Sequence, residues 1–87
     1  MSYTGYILQS ELNGSYYVGQ TKDIDARLVE HNKGNVQSTK PYVPWRPVYT
    51  VKFETRREAM QWEKETKSHK SRLLIERLVN SERGAAR

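Results

Sequence analysis

The fold of this chain depends first on residues 3–20, which read YTGYILQSELNGSYYVGQ. Two segments in it, 3–9 and 16–20, are rich in aromatic and β-branched residues, and they flank the pair Asn13-Gly14. An Asn-Gly pair between two such segments is the strongest short-range signal for a β-hairpin. The sequence therefore predicts two antiparallel strands at its beginning.

The register of this hairpin determines whether two tyrosine side chains meet. A two-residue turn would pair Ser10 with Tyr17 and Leu8 with Gly19. Because alternate side chains of a strand share a face, Tyr6 and Tyr17 would then lie on the same side of the sheet. A slip of one residue would put them on opposite sides.

A helix, a loop and a third strand are predicted next. Asp23 is a favourable N-cap for a helix that runs to about Asn32, and Lys33-Gly34 is a typical helix stop. Three prolines among polar residues over 35–47 predict a long loop. Residues 48–53 alternate apolar and polar side chains, as a strand does.

The remaining chain reads as two helices. Thr55 and Glu58 match a capping box, which opens a helix through about Lys67. Ser68 or Ser71 caps a last helix, whose apolar residues are Leu74, Ile75, Leu78 and Val79. We expect one domain over residues 1–80 and a frayed tail over 81–87. The order β-β-α-β-α-α predicts an α+β domain with a small sheet covered by helices.

Composition limits the function classes. A chain of 87 residues has room for one hydrophobic core. It has no cysteine, which excludes disulfides and thiolate metal sites and fits a reducing cytoplasm. It shows neither a signal peptide nor an apolar run long enough for a membrane span, so we expect a soluble protein. The net charge is +5, and nine of fifteen cations lie from Arg56 onward against five acids, which favours a polyanionic partner.

Several short motifs, taken in order, resemble the GIY-YIG nucleases. They are Thr4-Gly5-Tyr6, Tyr17-Val18-Gly19, Arg27-x-x-x-His31-Asn32, Pro44-Trp45 and Glu58-Ala59-Met60-x-x-Glu63-x-x-x-Lys67. The match is closest to the small single-domain bacterial branch, although Gly5 stands where the family name has isoleucine. The resemblance implies a three-stranded antiparallel sheet flanked by helices. It also implies metal-dependent cleavage of phosphodiester bonds in DNA.

The resemblance also implies roles for five residues. Tyr6 or Tyr17 would activate the attacking water, and which of them does so stays open. Arg27 would hold the scissile phosphate, since a guanidinium offers a fork of donors. His31 would assist proton transfer by bonding a tyrosine hydroxyl or the leaving oxygen. Glu63 would anchor one Mg²⁺ or Mn²⁺, since one carboxylate with several waters is a normal Mg²⁺ shell once phosphate completes it.

Each of these residues also has an ordinary structural interpretation. Tyrosines are common in strands, and Lys67 is available as an ion-pair partner one turn after Glu63. Gly19 is interpreted as a point of close approach by backbone or substrate. We predict weaker phosphate contacts at Lys40, Arg46, Lys67 and Lys70.

Three functions follow, in decreasing order of support. The first is a DNA endonuclease directed by DNA structure, with low sequence specificity because no recognition element is visible. The second is a catalytically weak DNA-binding module that needs a protein partner to supply target recognition. The third is a basic interaction domain without a nucleic-acid role. Glu63 favours the first, because binding alone would not require it.

Overall fold

The computed structural model describes residues 2–68 and 75–80. The elements follow the chain as β1 (Tyr3–Ser10), β2 (Tyr16–Thr21), α1 (Ile24–Asn32), β3 (Trp45–Phe53), α2 (Arg56–Ser68) and α3, the helical residues 75–80. The strands form one antiparallel sheet in the order β2-β1-β3. The predicted α+β class, the three-stranded sheet and the order β-β-α-β-α-α are confirmed.

The central strand β1 is buried on both faces of the sheet. On one face Tyr6 and Leu8 pack with Trp45 and with the apolar side of α1. On the other face Ile7 packs with Val18, with side chains of α3 and with Trp62 of α2. The sheet therefore lies between α1 and the pair α2 and α3, and every residue from 4 to 8 is buried.

The hairpin is present, but its predicted register is wrong by two residues. Tyr17 pairs with Leu8, and Gly19 pairs with Tyr6. The loop is residues 11–15. The Ser10 hydroxyl at its start accepts hydrogen bonds from the backbone amides of Leu12 and Asn13, and Asn13 Oδ1 accepts from Ser15 N. These side-chain bonds close a longer loop than a two-residue turn. Because the side-chain period is two, the shift leaves both tyrosines on one face.

Two of the three predicted helix N-termini are confirmed. Asp23 Oδ1 accepts from Ala26 N at 3.1 Å at the start of α1. The Thr55 hydroxyl accepts from Glu58 N at 3.2 Å, and Glu58 Oε1 accepts from Thr55 N at 3.2 Å, which is the capping box. Gly34 has φ +80, as expected just after a helix end.

The last helix is described only in part. Ser68, one of the two predicted caps, is the last residue of α2. Ser71, Leu74 and the tail over 81–87 lie outside the described residues. Val79 is buried, and Ile75 and Leu78 pack beside it against Ile7 and Val18.

The loop predicted over 35–47 is shorter than expected. It contains a 3₁₀ turn at Lys40–Tyr42, and β3 begins at Trp45 rather than at Val48. Proline is tolerated at position 47 because β3 is an edge strand and its pairing with β1 shifts by one residue between Ile7 and Leu8, a β-bulge. Among the described residues, no helix is long and apolar enough to span a membrane.

Gly5 allows α2 to pack closely on the sheet. A Cβ atom at this position would lie 2.6 Å from Cε3 of Trp62. The Trp62 ring stacks on Tyr49 with centroids 6.3 Å apart and lies 6.1 Å from Phe53. The absence of a side chain at Gly5 is therefore a packing requirement of this chain.

We expect Gly5→Ala to lower the free energy of unfolding by about 1–3 kcal/mol, because the added methyl group overpacks a filled contact. In a Trp62→Leu background the same substitution should cost less, since the clashing ring is gone. Urea unfolding of the wild type, both single variants and the double variant measures this coupling. An equal cost of Gly5→Ala in both backgrounds would contradict the contact.

Candidate active site

The two tyrosines share one face of the β1–β2 hairpin, beneath α1. Tyr6 is buried, and its hydroxyl lies 3.1 Å from Nε2 of His31 at the end of α1. The Tyr17 ring is 6.4 Å from the Tyr6 ring and meets the imidazole edge-on at 5.0 Å. The hairpin and α1 thus bring together three of the five predicted catalytic side chains.

Gly19 makes room for the Tyr6 side chain. The two residues are paired across β1 and β2, and a Cβ at Gly19 would lie 2.5 Å from the Tyr6 hydroxyl oxygen. The close approach predicted at this glycine is therefore made by a tyrosine of the same site. Because Gly19 has no side chain, the Tyr6 ring and hydroxyl can pack directly against the backbone of β2.

Hydrogen bonds assign the tautomer of His31. The Thr39 hydroxyl donates to the carbonyl of Val36 at 3.3 Å, so its oxygen is left to accept from Nδ1–H of His31 at 2.8 Å. Nε2 then carries the lone pair and accepts the Tyr6 hydroxyl proton. These three hydrogen bonds direct the hydroxyl proton of Tyr6 towards the unprotonated Nε2 of His31.

Burial keeps His31 neutral. Its side chain is fully inaccessible. Desolvation, with a smaller contribution from the positive charge of Arg27, lowers the pKa of His31 to about 4. At neutral pH the imidazole is therefore an unprotonated acceptor.

Arg27 interacts with both tyrosine hydroxyls. The polar interaction with Tyr6 is the main cause that raises the pKa of Arg27, so its guanidinium stays charged. Burial raises the pKa of Tyr6 above its ordinary value, although Arg27 opposes this effect. Tyr6 is consequently a neutral phenol beside a fixed positive charge.

Glu63 reaches the site from α2, on the other side of the sheet. Its negative charge is the smallest of the effects that raise the pKa of Tyr6. Its Oε2 accepts from Nζ of Lys67 at 2.7 Å, and the same ammonium lies 5.5 Å above the Tyr17 ring centre. The ion-pair role considered for Lys67 is thus present in the structure.

The donor set around Glu63 fits a metal only with help from other ligands. Among the described residues, no three His, Cys, Asp or Glu side chains come together. The Glu63 side chain is partly exposed, with 24% of its surface accessible. A hard cation held by one carboxylate, waters and a substrate phosphate is compatible with this arrangement.

The predicted weaker phosphate contacts are dispersed. Lys40 is exposed in the 3₁₀ turn, and Arg46 donates to Gln9 on β1 at 3.2 Å. Lys67 belongs to the Glu63 pair, and Lys70 lies outside the described residues. The structure does not gather these residues into one surface.

Two supporting residues escaped the sequence interpretation. Thr39 is buried against His31, a contact that no pattern in the loop sequence indicated. Asn32 forms two bonds with the backbone of Trp45, accepting at 2.6 Å and donating at 3.0 Å. The Trp45 indole in turn donates to the Thr39 carbonyl at 2.9 Å. The only sequence signal for Asn32 was its position next to His31.

We expect stability to fall as the pH drops from 6.5 to about 4. The unfolded chain protonates His31 near pH 6.5, whereas the folded chain resists protonation until about pH 4, so the unfolded state binds more protons in this window. The cost is up to about 3 kcal/mol at 1.36 kcal/mol per pKa unit. Urea unfolding at several pH values checks this, with His31→Gln as the variant that lacks the titrating ring. Parallel pH profiles for the two proteins would contradict the assignment.

Comparisons with known proteins identify the family of this chain. A family model described as the GIY-YIG catalytic domain matches residues 2–77. UPF0213 protein BH0048 of Halalkalibacterium halodurans is 40% identical over 85 residues, which is 97% of this chain and 88% of the relative. A UPF0213 protein of Staphylococcus aureus is 40% identical over 70 residues, 75% and 85% of the two chains. The solution NMR structure of UPF0213 protein BH0048 from Bacillus halodurans is similar with a TM-score of 0.58 and 41% identity, and the match covers 92% of this chain and 84% of that one. This chain belongs to the GIY-YIG family, among its small bacterial members.

Proposed function

We propose that this chain is a metal-dependent endonuclease that hydrolyses phosphodiester bonds in DNA. The observation that carries the proposal is the Tyr6 hydroxyl, which is bonded to the free Nε2 of His31 and also interacts with the guanidinium of Arg27. A phenol with a proton acceptor on one side and a cation on the other can activate water. An ordinary buried tyrosine in a core needs neither neighbour.

The geometry favours Tyr6 as the residue that activates water. As the water attacks phosphorus, its proton passes to the Tyr6 oxygen while the Tyr6 proton passes to Nε2 of His31. Neither group has to be ionised beforehand, which suits the raised pKa of Tyr6 and the neutral imidazole. Tyr17 is the second phenol beside Arg27 and helps to position the phosphate.

Arg27 and Glu63 would help to stabilise the negative charge of the phosphate during the reaction. Arg27 donates to the phosphate oxygens and offsets the charge that develops on them. Glu63 would hold one Mg²⁺ or Mn²⁺, which supplies Lewis-acid stabilisation of the phosphate and the leaving oxygen when bound. In the structure the Glu63 carboxylate is engaged by Lys67, which would have to release it.

The ion pair between Lys67 and Glu63 supports the second candidate function, a DNA-binding module with little activity. A carboxylate held by an ammonium at 2.7 Å is a weaker cation ligand than a free one. The isolated chain could then be a DNA-binding module with little activity until a protein partner or the DNA draws Lys67 away. Cleavage by the purified chain separates the two functions.

The test of the proposal is strand nicking of plasmid, fork and flap DNA. The wild type should nick in the presence of Mg²⁺ or Mn²⁺ and not in EDTA, with a preference for branched substrates whose backbone bends at lower cost. Binding without nicking, with or without a metal, would support the binding module. An absence of both would support the basic interaction domain.

Glu63→Gln should lower the nicking rate at least about 100-fold, since metal stabilisation of the transition state is several kcal/mol and each 1.36 kcal/mol is tenfold. DNA affinity should be unchanged or slightly higher, because Lys67 loses its carboxylate partner. Glu65→Gln is the matched control, being an exposed acid on the same helix that bonds Gln61 instead. Wild-type nicking by the Glu63 variant would refute the metal assignment.

Thr39→Val should slow nicking about tenfold or more, because Nδ1–H of His31 loses its buried acceptor and the tautomer is no longer fixed. Thr39→Ser, which keeps the hydroxyl, should restore the rate. Nitrogen-15 NMR of the imidazole provides a second measurement: the wild type and Thr39→Ser should carry the proton on Nδ1, and Thr39→Val should not hold it there. Identical imidazole spectra in all three proteins would contradict a positioning role for Thr39.

A further inference from the structure

A groove of about 860 Å³ runs along α2 on the side near the β2 edge. Its floor and walls carry four cations and one acid. The cations are Arg56, Arg57, Lys64 and Lys67, and the acid is Glu63. The proposed metal ligand therefore lines the groove, between Lys67 and the residues of the first turns of α2.

Three of the four cations of this groove form no ion pair with a carboxylate of the described residues. Lys67 pairs with Glu63, whereas Arg56, Arg57 and Lys64 are exposed and pair with no carboxylate within residues 2–68 and 75–80. Three uncompensated cations in one groove give it a strong positive potential. The groove is suited to a ligand with several negative charges.

The spacing fits a polymer rather than a single anion. Arg57 and Lys64 are seven residues apart on α2, about 10 Å along the helix axis at 1.5 Å per residue. Cations spaced along the helix in this way can each face a different phosphate of one strand. Between them lies Met60, which is 49% exposed and offers an apolar contact for a sugar or base.

We propose that this groove binds the sugar-phosphate backbone of the cleaved DNA strand, beyond the scissile phosphate. The inference rests on the proposed function, because the groove shares Glu63 with the site and so continues the path of a strand held there. It replaces the scattered contacts expected from sequence with one surface on α2. Such a surface binds phosphates without reading bases, in agreement with low sequence specificity.

The experiment compares Arg57→Gln/Lys64→Gln with Lys33→Gln/Lys52→Gln. Both double variants remove two positive charges from exposed residues. Lys33 follows α1 on the opposite face of the sheet, and Lys52 lies on β3, the edge strand away from β2. Anisotropy of a labelled flap DNA in EDTA across a NaCl series gives affinity and salt slope. Nicking at saturating DNA with Mg²⁺ gives the catalytic rate.

The groove variant should bind at least about tenfold more weakly at low salt, with a log–log salt slope less negative by about 2, since each lost phosphate contact removes about 0.9. The control variant should keep most of the wild-type slope. The control variant should also keep the wild-type nicking rate, because Lys33 and Lys52 lie outside both the groove and the catalytic cluster.

The outcomes separate this inference from the proposed function. Equal affinities and slopes for the two double variants, with nicking by the wild type, would overturn the groove and leave the nuclease intact. Binding that depends on the groove, without nicking by the wild type, would support the groove while the nuclease proposal fails. A chain that binds polyglutamate through these residues but not DNA would overturn the inference in favour of an acidic polypeptide partner.

Discussion

The hydrogen bond between the Tyr6 hydroxyl and Nε2 of His31 connects the site to the rest of the structure. Tyr6 belongs to the central strand and to the apolar cluster beneath α1, and His31 is fully buried at the end of that helix. The bond therefore joins the sheet to α1 and at the same time orients the two groups proposed to move a proton. Stability and chemistry share the same atoms, so substitutions here should affect both.

Two glycines allow that arrangement by leaving space on opposite faces of β1 and β2. At Gly19 the missing side chain is replaced by the Tyr6 hydroxyl, and at Gly5 by the Trp62 ring. Neither glycine has a left-handed backbone that would require it; among the described glycines only Gly14 and Gly34 have positive φ. The glycines of the two motifs therefore permit close contacts. Gly19 makes room for a tyrosine of the site, and Gly5 makes room for the helix that carries Glu63.

Short-range sequence signals predicted the local structure, but they could not predict contacts between residues that are distant in the sequence. The cap at Asp23, the capping box at Thr55 and the shared face of the tyrosines each follow from neighbouring residues or from a period of two. The hairpin register depended on the Ser10 hydroxyl, which binds turn amides and also donates to the Tyr42 carbonyl 32 residues away. The burial of Thr39 likewise depends on a helix that ends several residues earlier, and no periodicity within the loop encodes that contact.

The charges of the site are better balanced with a phosphodiester bound than without one. Arg27 and Lys67 are cationic, Glu63 is anionic, and the phenols and His31 are neutral, so the cluster carries one net positive charge. Part of the depression of the His31 pKa comes from Arg27. A phosphodiester bound to Arg27 would offset that charge and raise the pKa of the imidazole, because an added anion favours its protonated form. His31 would therefore become a better proton acceptor when substrate is in place. The chain could in this way keep a weak base in its folded core and still use it for catalysis.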